Sequence, residues 1–149
     1  MKRRLLTLIT LFISCLTYGQ ESDKDQLAKL IQDSFDHIWS ELNSNNLDKY
    51  YTKDFILLEN GEVMNYKDVA DYLDIAIKNS PIPKRVNTIA VIETKVSNGR
   101  GWIAYENNAV FTKEGKIVRQ VYWLESATAV LTETGWKLDM LHSTKVMGD

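Results

Sequence analysis

His142 is one of only two histidines in this 149-residue chain. Its period-two neighbours, Trp136, Leu138, Met140 and Thr144, put it on an apolar strand face. An imidazole there could exchange a proton near neutral pH, or serve as a hydrogen-bonded structural group. Glu59 stands at the end of a short strand, beside the Asn60-Gly61 turn. Shielded from water its carboxylate would gain proton affinity, and left in water it is an ordinary surface charge. Glu106 and Glu125 lie within strands, beside Tyr105 and Trp123. Either is costly inside the fold without a partner such as Arg119, and the sequence leaves their faces open. His37 falls off the apolar stripe of its helix and reads as surface.

What is missing narrows the chemistry. Two histidines and one cysteine, with no closely spaced His/Asp/Glu cluster, give no zinc or iron site. There is no glycine-rich phosphate loop and no Gly-x-Ser-x-Gly elbow, so no cofactor is expected. Met1-Lys-Arg-Arg4, the apolar run Leu5 to Leu16 and the small residues of Thr17-Tyr-Gly19 form a signal-peptide pattern over residues 1–19. The expected product is exported, periplasmic or secreted, with residues 20–149 as its single domain. Phe12-Ile-Ser-Cys15 offers lipid anchoring as an alternative, but Phe replaces the usual Leu and the residues after Cys15 are apolar. Cleavage after Gly19 leaves a domain with no cysteine, hence no disulfide and no thiolate chemistry. It also removes three basic charges, leaving 15 Lys+Arg against 20 Asp+Glu, a net of about −5. That balance disfavours nucleic acid or an anionic membrane as partner, and no later stretch is long and apolar enough to span a bilayer.

The elements that must position these groups follow from periodicity. Ser22 with Asp25 starts a helix whose stripe runs Leu27, Leu30, Ile31, Phe35, Ile38, Trp39, Leu42, and Asn43-Ser-Asn-Asn46 stops it. A short helix over 47–51 precedes a strand at 54–59. Asn65 with Asp68 caps a third helix, ended by Pro81 and Pro83. The period then changes to alternation: strands over 86–96, 102–112, 117–131 and 136–146, separated by Asn98-Gly99, Glu114-Gly115 and Thr134-Gly135. Helices followed by an antiparallel meander specify an α+β domain. Strands this long must twist, so the sheet is expected to curve into a cone covered by the three N-terminal helices. Both faces of 102–112 carry apolar side chains, which points to one face on the cone and one on a partner subunit.

Aromatic residues fill the remaining picture. Trp39, Tyr50, Phe55, Tyr72, Tyr105 and Trp123 are candidates to line a cavity suited to a small apolar or amphipathic molecule.

The order of elements, with Trp102-Ile-Ala-Tyr-Glu106 and the closing Gly135-Trp-Lys-Leu-x-x-Leu-His-Ser-Thr144, resembles the nuclear transport factor 2-like superfamily and its SnoaL-like branch. The resemblance implies a cystatin-like roll with an apolar pocket, dimeric through the sheet, and no single activity. It places Glu59 where a steroid isomerase of the superfamily carries its carboxylate general base, a group that takes a proton from a carbon beside a carbonyl. Ile38 stands where that isomerase has a tyrosine donor, and no residue matches its second donor carboxyl. Two readings follow. One is an exported domain that binds a small amphipathic molecule or acts as an accessory. The other is a cofactor-free isomerase, dehydratase or cyclase using Glu59 or His142 as base.

Overall fold

The computed structural model describes residues 21–79 and 81–146, so the expected signal segment and Cys15 lie outside the described residues. Helix α1 (Asp23–Ser34) starts at Ser22, whose side chain accepts from the Asp25 amide. Its regular turns end earlier than the apolar stripe suggested, because Phe35–Trp39 widens into a π turn in which the Ser40 amide bonds the Phe35 carbonyl. Side-chain bonds support this loosened end: Asn46 donates to the His37 carbonyl at 2.9 Å, and Trp39 Nε1 donates to the Tyr51 hydroxyl at 2.9 Å. A 3-10 turn (Ser44–Asn46) leads into α2 (Leu47–Tyr50). Strand β1 (Tyr51–Glu59) begins three residues before the expected position and turns at Asn60-Gly61 into β2 (Glu62–Asn65). Asn60 and Gly61 both have positive φ, 53° and 83°, the geometry a two-residue hairpin requires.

Helix α3 (Tyr66–Ala76) carries a full capping box, with Asn65 and Asp68 satisfying each other's backbone amides. Strands β3 (Lys84–Ser97), β4 (Arg100–Lys113), β5 (Lys116–Thr132) and β6 (Gly135–Val146) complete one six-stranded sheet. Its order is β2-β1-β6-β5-β4-β3, with β1 and β6 parallel and every other pair antiparallel. Register shifts at Val91/Glu93, Phe111/Thr112 and Thr128/Ala129 mark bulges, and bulges bend long strands. The sheet therefore curves around the helices, and Leu27, Ile31, Ile38, Leu73, Ile103 and Leu138 bury completely between the layers. Gly101 is where α1 comes closest: a Cβ there would lie 2.5 Å from Leu27 Cδ1. Among the described residues no helix is long and apolar enough to cross a membrane.

A cavity floored by a buried carboxylate

The inner face of the sheet is set by alternation. On β4 the buried row is Gly101, Ile103, Tyr105, Asn107 and Ala109, and on β5 it is Val121, Trp123, Glu125, Ala127 and Ala129. Glu106 pairs with Leu124 on the opposite, outer face. Glu125 thus points inward and Glu106 outward, which resolves the two parities the sequence left open.

Glu125 is 7% exposed. Its carboxylate accepts from Ser143 Oγ at 2.6 Å and from Asn107 Nδ2 at 3.1 Å. The buried Tyr105 hydroxyl lies beside it without meeting hydrogen-bond geometry. Burial raises the proton affinity of Glu125 above the ordinary glutamate range; the bonds from Ser143 and Asn107 and the charge of Arg85 oppose that shift without cancelling it.

Register extends this group into a row. Glu59 on β1 pairs with Ser143 on β6, and Ser143 pairs with Glu125 on β5. Two carboxylates therefore flank one serine on adjacent ladders. Glu59 is half-buried, and desolvation raises its proton affinity too, against the pull of Arg85.

These groups bound a cavity of about 480 Å3 between the end of α1, one side of α3 and the concave sheet. Its apolar wall comes from Phe35, Trp39, Leu57, Tyr72, Trp123 and Leu141, and its polar surface from Glu59, Arg85, Glu125 and Ser143. Trp39 and Tyr72 face each other at 6.3 Å between ring centroids.

Of the residues singled out from sequence, Glu59, Trp39, Tyr72 and Trp123 meet at this cavity. Tyr50, Phe55 and Tyr105 do not line it; they are core residues. Tyr50 instead stacks on His37, which is half-buried and bonded to the Tyr50 hydroxyl, not free on the surface. Phe55 stacks on Tyr51 at 4.0 Å.

His142 is exposed and outside the cavity. The parity argument fails at one residue: Ala129 pairs with Leu138 and Thr128 with Met140, so Asp139 is an extra residue on β6. Asp139 is pinned by Thr128 Oγ1 at 2.5 Å and Arg100 Nη1 at 3.0 Å. Past this bulge the inward set becomes Leu141 and Ser143, and His142 turns outward.

Sequence reasoning did not single out Arg85, Asn107 or Ser143 for the site. Asn107 and Glu125 had a readable signal, since each interrupts an apolar period-two row. Arg85 had none, because its neighbours come from the π turn after α1, from β4 and from β5. Arg119 was the expected partner of a strand glutamate; it is exposed, and its guanidinium lies 4.9 Å from the Phe111 ring centroid.

No family model matches the chain, and no curated protein matches it. Solved structures do. The chain is similar to the CaMKII hub homology domain of Chlamydomonas reinhardtii, with a TM-score of 0.73 at 16% identity over 85% of this chain and 100% of that one. It is similar to a ketosteroid isomerase-like protein from Erwinia carotovora atroseptica, with a TM-score of 0.65 at 11% identity over 87% and 100%. A third likeness is to an NTF2-like protein of unknown function from Silicibacter pomeroyi, with a TM-score of 0.56 at 13% identity over 81% and 93%. At these identities the likeness establishes the fold and does not reach the SnoaL-like branch.

Proposed function

We propose that this chain, which has the nuclear transport factor 2-like fold, is a binding domain for a small amphipathic molecule held in its cone. The observation that carries this reading is the cavity of about 480 Å3, walled by Trp39, Tyr72, Leu57 and Leu141 and floored by Glu125 and Ser143. Cavities of this size with apolar walls and a few convergent polar groups suit drug-sized ligands. Native mass spectrometry of protein isolated from its own cells tests it. The expected result is a bound mass beyond the polypeptide that disappears in a cavity-filling Leu141→Trp variant. A protein that carries no such mass, and takes up no neutral amphipathic compound when offered a panel, ends the reading.

Glu125 favours a second reading. A carboxyl group held inside a cavity with raised proton affinity is placed to pass a proton to or from a bound molecule, as an isomerase or dehydratase requires. Turnover of a bound compound that Glu125→Gln abolishes, with binding retained, would favour it over binding alone.

A second copy of the chain is the partner proposed for the outer sheet face, which carries Trp102 and Val110 on β4 and Tyr122 and Leu124 on β5, with Leu124 45% exposed. The same mass spectra then report a dimer, and Leu124→Lys gives a monomer. Export is part of the proposal on the pattern of residues 1–19 alone, and N-terminal sequencing of protein recovered outside the cytoplasm tests it.

A further inference from the structure

Arg85 lies just inside the start of β3, on the cavity wall. Its guanidinium is surrounded by rings, 5.6 Å from the Phe35 centroid, 5.5 Å from Phe111 and 5.5 Å from Trp123. Nε donates to Asn87 Oδ1 at 3.0 Å, which fixes the plane of the group, and Asn87 is itself held by donating to Ser40 Oγ at 2.9 Å. Neither Nη atom has a hydrogen-bond acceptor among the described residues, and no carboxylate comes within the 4.0 Å of an ion pair. The fork is not sealed in the protein, because neither Nη is among the buried polar atoms that lack a partner. Arg85 is one of the residues that line the cavity.

A guanidinium keeps its charge in any protein environment, so a desolvated one needs an anion or its cost stands uncompensated. Burial presses against the charged form here, and Glu125 and Glu59 support it only from beyond ion-pair distance. Resting on the cavity-binding reading above, we infer that the ligand is a monocarboxylate with an apolar, planar body, seated with its carboxylate on the Arg85 fork.

The chemistry favours a carboxylate. A guanidinium fork matches the two oxygens of a carboxylate in one plane, and Asn87 and three rings already hold that plane in place. A phosphate ester carries close to two charges and would want further donors, whereas the remaining charged groups on the cavity include Glu59, Glu62 and Glu125. Arg119 is the second cation at the cavity, 4.9 Å from the centroid of the same Phe111 ring, and its exposure leaves it to steer the anion inward. The apolar body then lies along Trp39, Tyr72 and Leu141.

Calorimetric titration of the protein with 4-phenylbutyrate and its neutral isostere 4-phenylbutanamide decides the matter. The acid is expected to bind roughly tenfold or more tightly than the amide, the return on one bidentate charged contact. Arg85→Gln should bring the acid down to the affinity of the amide and leave the amide within about twofold. Equal affinities in the unaltered protein would overturn this inference while leaving the cavity reading intact, as would an acid preference that survives Arg85→Gln. Failure of both compounds to bind would overturn the two together. If Arg85→Gln does not fold, Arg119→Gln takes its place: an acid preference that it leaves intact supports the inference, and one that it abolishes overturns it.

Discussion

Ser143 donates its hydroxyl to the Glu125 carboxylate at 2.6 Å across the β5–β6 ladder, and on its other side pairs in register with Glu59. One small residue thus separates two carboxylates that burial pushes toward their protonated forms. The arrangement gives the cone a polar floor whose charge depends on pH, and Arg85 faces it from the wall.

That floor makes stability depend on pH in a defined direction. Glu125 binds its proton more tightly in the folded protein than in the unfolded chain. Between the ordinary glutamate value, about 4.3, and the raised folded value, the native state holds more protons, so stability falls as pH rises through this window. Glu125→Gln removes that group's share of the fall. Thermal midpoints across an acid-to-neutral series should therefore decline less steeply for Glu125→Gln than for the unaltered protein. Parallel slopes would mean that Glu125 is not the group responsible.

His142→Ala is expected to change little. The side chain is exposed and outside the cavity, so stability should stay within about 0.5 kcal/mol. Binding of any cavity ligand should be unaltered. A loss of binding in titrations with this variant would contradict the bulge-reversed parity of β6.

Gly101→Ala tests the closest approach of α1 to the sheet. The added methyl would meet Leu27 Cδ1 at 2.5 Å, and Leu27 is fully buried. Overpacking of this kind costs about 1–3 kcal/mol, measurable by urea unfolding. A partner change Leu27→Ala in the same chain should recover part of the clash while adding the cost of its own cavity, so the two effects will not add.

Asn65→Ala removes the residue that starts α3. Its side chain accepts from the Lys67 and Asp68 amides at 2.8 and 3.1 Å. Loss of such a cap costs about 1 kcal/mol. Because α3 contributes Tyr72 to the cavity wall, ligand affinity should weaken alongside stability, and Asn65→Asp should restore both.

Local rules account for much of this protein. The capping pairs Ser22/Asp25 and Asn65/Asp68 mark two helix starts, and the Asn-Gly and Glu-Gly dipeptides supply the positive φ angles of the hairpins. Long alternating strands after helices define the curved α+β architecture, because twist and bulges do not let such strands lie flat. Trp39, Tyr72, Trp123 and Glu59, picked out by residue type and position, line one cavity.

Long-range register decided the rest. A single extra residue, Asp139, inverts every side chain after it on β6, taking His142 out of the cavity and putting Ser143 in. Period-two reading assumes an unbroken ladder, and a bulge is held by distant partners, here Thr128 and Arg100, that no local window contains. The unpaired fork of Arg85 is likewise a property of what surrounds it. Phe35, Phe111 and Trp123 converge on it from three elements, and only their packing in space leaves a cation with no carboxylate at ion-pair distance among the described residues.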